Sequence, residues 1–484
     1  MNRQDLQGGP PDCQTLEESQ QLVRQLWTAL DEALARVEEL EERVEQSSKT
    51  SSKSPSTDTP KSRAERSPKR RSGKSQGAQP GHPKHERALV EESKLTSCER
   101  YYPDGRCVCG EDLEMESEPS FRHQVFELPQ VSYEVHEHQL FSGRCPCCDR
   151  RVTAQLPEWV PSGQMGPRLL SWIAVLNGQF HLTIRQMQRF FEVQWGLHFS
   201  TGAISEAQGK VIPFLGPLYR QVGQYVRRCP VAHADETRHA RGGEQRWIWT
   251  LGVGVAVYFM THFSRGKAAA KALLGSFCGV LVTDHYVGYN DFARELRQLC
   301  WAHWLRHLEA MARRKGQAGV IGRRLVVLAR AVFHTYRRIR DGTLDEERYR
   351  RRMLRLRGAM RRQLEQGQRC TDSARTVNQC RHALKDEEMY WTFLRDGRIP
   401  LTNNYAERQQ RGYVIWRKIS FFSQSFRGEQ FRPMILTVLK TAEQLRLNPV
   451  ELLTEVFEQG LRGGPIKTRL PLPDPETLQL PHEE

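Results

Sequence analysis

Residues 230–283 constrain the fold more than any other part of this chain. Three runs follow one another there, PVAHADETRHA, QRWIWTLGVG and VAVYFMTHF, and each has the length and alternation of a strand. The helical RGKAAAKALLGSF comes next, then the apolar CGVLVTDHYVGY, which reads as a further strand. A meander followed by a helix and another strand predicts an α/β sheet with helices around it. Side chains alternate along a strand, so His233, Asp235 and Thr237 share one face and Glu236 takes the other. Asp284 directly follows GVLVT, at a strand's end, where open α/β sheets place functional groups. A helix near 290–296 and the strand-like LRQLCWA complete the sheet region.

Two acids on neighbouring strands repel one another unless a cation offsets the repulsion. Asp235, Asp284 and a later acid therefore suit a magnesium site, since this ion takes a few carboxylates and keeps waters for phosphates. Taken singly, each aspartate reads as well as a cap, a turn or a salt-bridge residue. The later acid is Glu407, the one carboxylate in LTNNYAERQQRGYVIWRK (401–418). Asn403 and Asn404 are candidate caps for a helix starting near Tyr405, which puts Glu407 in its first turn, where the helix dipole favours a negative charge. Arg408, Arg411, Arg417 and Lys418 would face phosphates beside it. Between sheet and helix, residues 304–370 carry nineteen Lys or Arg against six acids and read as a basic helical insertion. The plainer reading of that insertion is a solvated helical bundle.

The net charge of +15 and the pI near 9.4 point to a polyanionic partner. No apolar run reaches the length of a membrane span and the first residues do not read as a signal peptide, so a cytoplasmic protein, nucleoid-associated when bound to DNA, is expected. Residues 14–46 place Val23, Leu30, Val37 and Val44 at one heptad position and Leu26, Ala33 and Leu40 at another, a coiled-coil pattern that predicts at least a homodimer. The alternative is an amphipathic helix packed on its own chain. Residues 47–92 have little to bury and many basic residues, and are expected to form a disordered linker with salt-sensitive affinity for phosphates.

Twelve cysteines are spread over the chain, and several crowd into CERYYPDGRCVCG and GRCPCCD. Four thiolates suit a structural zinc ion, so residues 93–158 read as a zinc-binding domain with Cys107, Cys109, Cys145 and Cys148 as ligands. Cys98 or Cys147 could replace one of the four. FRHQVFELPQVSYEVHEHQLF, between the two groups, reads as strands. Residues 165–225 read as helices around a short glycine-containing turn, resembling a helix-turn-helix that would contact DNA.

HADET (233–237), GVLVTDHYVGYN (279–290), CWAHWLRH (300–307) and LTNNYAERQQRGYVIWRK together resemble the TnpC transposases of the insertion-sequence-sixty-six family. GRCPCCD, GQFHLTIRQMQRFF and TVLKTAEQLRLNPVELLTEVF extend the likeness to about residue 457. The resemblance implies a ribonuclease-H-like catalytic domain over 228–458, with the helical insertion at 304–395; residues 459–484, beyond the likeness, are expected to form a flexible tail. It also implies an amino-terminal zipper, a zinc-binding module and small accessory transposition proteins as partners. By the same resemblance Asp235, Asp284 and Glu407 match a DDE triad that uses magnesium or manganese (Mg2+ or Mn2+) to cleave transposon ends and join their 3′-hydroxyls to target DNA. Cys300 and His303 match a C-W-A-H signature, with His303 supporting the active site. The sequence departs from the family's common pattern in having TNN for DNN and WRKISFF for an RKNWLF-like stretch. Two other readings stand beside the transposase: a related nuclease without strand transfer, and a non-catalytic, zinc-containing DNA-binding regulator on a degenerate nuclease fold.

Overall fold

The computed structural model describes residues 15–44, 88–157, 160 and 163–478. The expected basic linker lies for the most part, over 47–87, outside the described residues. The chain divides into two compact units, residues 65–136 and the remainder on either side of them.

Among the described residues of the smaller unit, regular structure is limited to a 3-10 turn at Glu92–Lys94 and a bridge between Arg106 and Asp112. Gln124 holds Val90 through both its amide groups, at 2.8 and 3.0 Å. Residues 121–141, expected as strands, carry none. Their alternation is real, but Phe121, Val125, Leu128 and Val135 are all exposed, and an apolar face with no second layer gives a strand nothing to pack on.

In the larger unit, helix α1 runs from Leu16 to Val44, and the expected seam residues Val23, Leu26, Leu30, Val37 and Leu40 lie exposed along it. A short hairpin, β1 (Ser142–Arg144) and β2 (Arg151–Thr153), turns through Asp149 in the left-handed region, where Arg144 clamps its carboxylate with two 2.9 Å bonds. Helices α2 (Pro167–Gly178), α3 (Ile184–Trp195) and α4 (Thr201–Arg228) follow. Thr183 and Gln186 form a capping box at the start of α3, and Gly196 ends it with φ 67°. The region expected as a helix-turn-helix consists of α3, a turn at Gly196 and α4, and α4 buries Ile204, Val211, Leu215, Leu218 and Val222 in the core.

The sheet is built from β3 (Val231–Arg241), β4 (Glu244–Val253), β5 (Ala256–His262), β6 (Val280–Thr283) and β7 (Arg297–Leu299), in the order β5-β4-β3-β6-β7. The first three form the antiparallel meander, with Asp235 opposite Thr250 and Glu236 opposite Trp249. Gly242 and Gly243 make its first turn, both at positive φ, as a two-residue hairpin of this twist requires. Helix α5 (Lys267–Leu274) then crosses over so that β6 pairs parallel with β3, and β7 parallel with β6. Where a helix was expected near 290–296, two 3-10 turns stand instead, Val287–Tyr289 and Arg294–Leu296.

Beyond the sheet lie α6 (Trp301–Ala312), α7 (Gly316–Arg340), α8 (Glu346–Gln368), α9 (Ala374–Lys385) and α10 (Glu387–Tyr390). These helices share a core of their own, including Trp301, Trp304, Leu325 and Met353, which reaches the sheet at Val231, Val282 and Leu299. The chain returns through α11 (Asn404–Ser420), α12 (Phe426–Gln444) and α13 (Pro449–Leu461). Helix α12 closes the β5 edge: the Val257 and Phe259 N–H groups donate to the hydroxyls of Thr441 and Thr437 at 3.2 and 2.9 Å. Leu470 and Leu478, after the last helix, are buried in the main core, and Gln221 pairs with the Leu470 backbone in both directions. The architecture is mixed α/β, a small mixed sheet within a mostly helical chain. Among the described residues no helix is long and apolar enough to cross a membrane.

Candidate functional site

The centre of the sheet brings acids onto both faces of β3. Glu236 is buried and accepts from Arg265 Nε and Nη2 at 3.0 and 2.8 Å and from the Tyr289 hydroxyl at 2.9 Å. Burial, with the nearby Asp284 charge, still outweighs Arg265 and pushes the Glu236 carboxyl up to about 7.

On the opposite face Asp235 is partly buried, and Oδ1 accepts the Glu236 backbone N–H at 2.9 Å. Burial first, then the charges of Glu236, Asp284 and Glu407, holds its carboxyl well above the usual carboxylate range. Asp284 stands just past β6 with Oδ1 accepting the Tyr286 N–H at 2.9 Å, and burial raises it as well. Glu407 occupies the first turn of α11, with Oε1 3.3 Å from His303 Nε2. His303 is buried, and burial pushes it down to about 4 against the pull of Glu407, so its imidazole is neutral at pH 7.

Helix α11 is pinned to this face by residues of its own amino end. Asn403, expected to cap the helix, makes no side-chain cap. Its amide instead donates to the Ala234 carbonyl at 2.8 Å and pairs with His233 Nδ1 at 2.9 Å. Its backbone N–H meets the buried Cys300 Sγ at 3.1 Å, and burial pushes that thiol up to about 12. Gln410 reaches Thr250 at 3.1 Å, and Arg417 donates to Thr237 at 2.7 Å and also to the Arg238 carbonyl. Arg417 is thus engaged by β3, whereas Arg408, Arg411 and Lys418 remain exposed on the outer side of α11.

Sequence reasoning missed several neighbours. His285 adjoins Asp284, and its ring lies 5.3 Å from that of His307 and 6.4 Å from that of His303. Burial drives His285 well below the ordinary histidine range. Arg297, buried on β7, donates to Thr283 and Asn290 at 3.0 and 2.8 Å and to the Asp284 and Tyr286 carbonyls, fixing the turn that carries Asp284. The i, i+4 spacing of His303 and His307 was the readable signal for the histidine group.

The metal expectations do not survive. Among the described residues no group of three or more His, Cys, Asp or Glu side chains is placed to hold a metal ion. For Asp235, Asp284 and Glu407 the reason is visible in their partners. One oxygen of each aspartate accepts a backbone N–H, and Glu407 Oε1 lies 3.3 Å from His303 Nε2. The expected Mg2+ or Mn2+ site, and with it metal-dependent DDE strand cleavage and transfer by this chain, is corrected accordingly. The zinc site is corrected on the same finding. Cys107 and Cys109 belong to the smaller unit, and Cys145 and Cys148 to the larger. Within each pair, sulfur and backbone hydrogen bonds to the neighbouring cysteine hold Cys107 and Cys145 below the usual thiol range.

Comparison with known proteins adds to this geometry. The family described as "Transposase IS66 family" matches residues 162–430, and a family of unknown function, DUF6444, matches residues 9–88. The chain is 25% identical to the uncharacterized protein y4jD of Sinorhizobium fredii over 350 residues, 66% of this chain and 68% of that protein. It is likewise 25% identical to y4hP of the same organism, over 64% of this chain and 63% of that one. A third, y4qI, matches at 25% over 72% of this chain and 67% of its own length.

Proposed function

The chain belongs to the IS66 transposase family, and from that premise we propose that it acts by binding DNA on a degenerate nuclease fold. Three antiparallel strands followed by two parallel ones, with acids on the central strand, support reading the sheet as ribonuclease-H-like. The observation that carries the DNA-binding reading is the helical arm over 304–370. Its nineteen basic and six acidic residues account for most of the net +15 of the whole chain, and many of its arginines lie exposed on α7 and α8. A surface of this kind neutralises phosphates and releases their counterions. Arg408, Arg411 and Lys418, exposed on α11, add further cations for phosphates. The exposed apolar seam of α1 supports self-association as at least a dimer, an arrangement suited to holding two DNA segments.

Fluorescence anisotropy of the full chain with labelled duplex DNA, across a range of salt, tests the reading. Tight binding at low salt with a steep salt slope is expected. Arg352→Ala with Arg355→Ala should weaken it for every sequence alike and flatten the slope by about 2. Absence of binding at low salt overturns it.

A further inference from the structure

The two longest helices of the basic arm, α7 and α8, enclose a groove of about 500 Å³. Arg323 and Arg324 line it from α7, and Arg362 from α8. Neighbouring arginines on the same helices are engaged by acids: Arg330 with Glu309 at 3.0 Å, Arg357 with Glu387 at 3.0 Å, and Arg361 with Glu365 and Glu387 at 3.2 Å each. The groove arginines are not. Among the described residues none of the three makes an ion pair, and Arg323 has only a long 3.3 Å bond to the Ala312 carbonyl. Three cations facing one concavity repel one another, and an anion relieves that repulsion.

Two further features narrow the ligand. Val327 and Leu328 put an apolar surface between the arginines, with Val327 left 67% exposed. Gln363 lines the same groove and is only 8% exposed, yet its Nε2 is buried with no hydrogen-bond partner among the described residues. An unpartnered buried donor is unfavourable in the empty protein and favourable once an acceptor arrives. The groove therefore offers a cationic rim, an apolar surface and one amide donor.

We propose that this groove takes a nucleotide of single-stranded DNA, with the phosphodiester on the arginine rim and the unstacked base against Val327 and Leu328, its edge accepting from Gln363. A duplex offers the same phosphates but keeps its base faces stacked, so it would engage the rim and leave the interior idle. An acidic peptide would satisfy the rim but has no planar face for the apolar surface. The inference rests on the DNA-binding reading and adds to it a preference for unpaired strand.

The test uses the full chain with a short labelled oligothymidylate and a duplex of equal length. The wild type is expected to bind the single strand more tightly. Arg324→Ala with Arg362→Ala should weaken strand binding at least tenfold and lower its salt slope by about 1.4. Gln363→Leu, similar in volume and free of the unpartnered donor, should keep its thermal unfolding and lose about tenfold for the strand at unchanged salt slope, with duplex affinity unaltered. Unchanged strand affinity in both variants overturns the inference while leaving duplex binding and the DNA reading intact. Tighter binding of poly-glutamate than of oligothymidylate overturns it in favour of an acidic protein segment. If the wild type binds neither DNA form, the DNA reading itself fails.

Discussion

The two faces of β3 treat neighbouring acids differently. Glu236 is surrounded: a guanidinium supplies two hydrogen bonds and a phenol a third, and Arg265 also lies over the rings of Tyr286 and Trp247 at 4.0 and 4.9 Å. Asp235, one residue earlier, has a single backbone N–H on Oδ1 and faces two more carboxylates. One face is a structural brace between strand and crossover. The other gathers carboxylates with few partners, held toward their neutral forms, a perturbation that clusters at functional sites rather than in ordinary cores. A carboxylate's surroundings, not its burial alone, decide which of the two it becomes.

The largest effect comes from breaking the braced face. Arg265→Ala strands Glu236 and removes both ring contacts, and is expected to cost about 2–4 kcal/mol of stability. The low end is favoured because Glu236, already near 7, can take up a proton instead of remaining charged. Urea unfolding at pH 7 measures it, and a loss under about 0.5 kcal/mol would show that the two faces do not differ.

Asp235→Asn acts in the opposite direction. It replaces a carboxylate that the fold disfavours with a neutral isostere, so the variant should be more stable at pH 8 by about 1–2 kcal/mol. The same contrast sets the pH profile. His233 and His303 are pushed down to about 4 by burial, and His285 and His307 are also lowered. Their contribution is complete above the unfolded value of about 6.5 and is lost as pH falls below it. Asp235 and Glu236 are raised, so their contribution is complete below the unfolded carboxyl values of about 4 and is lost as pH rises from there through the folded values, about 7 for Glu236. Between about pH 4 and 6.5 the two contributions oppose one another, and above about 6.5 only the carboxyl loss continues, so stability should decline on the alkaline side of about pH 6.5. In Asp235→Asn the loss should be smaller at every pH above about 4, and smallest relative to the wild type at alkaline pH; a profile parallel to the wild type's would sink the assignment.

Much of this was legible in the sequence, and for physical reasons. Alternation gave β3, β4 and β5 and put Asp235 and Glu236 on opposite faces, and an apolar run before a polar turn gave β6 with Asp284 at its end. The asparagines before Tyr405 did mark the start of α11, with Glu407 in its first turn. What escaped was partner choice across space. Nothing local tells Asn403 to hold His233 rather than cap its own helix, or brings Arg265 to Glu236 from 29 positions away. The metal expectations failed for the same reason. Residue types at a family's spacing say which side chains are present, but not that an aspartate oxygen will be taken by the next N–H. Alternation over 121–141 predicted strands because sequence does not show whether a second layer exists to cover them.

The smallest expected effect separates arginines that sequence could not tell apart. Arg417 and Arg411 both face outward in a basic stretch on paper, but Arg417 is tied to Thr237 and the Arg238 carbonyl, at the outer end of the Asp235 face. Arg417→Ala leaves those acceptors without their donor and loosens α11 from β3, so about 1–2 kcal/mol of stability should be lost. Arg411 is exposed, and its replacement by alanine should change stability by no more than about 0.5 kcal/mol while lowering the salt slope of DNA binding by about 0.9. Equal destabilisation by both would mean that the Arg417 bonds add nothing to the hold that Asn403, Tyr405, Gln410 and Tyr413 give α11 on the sheet.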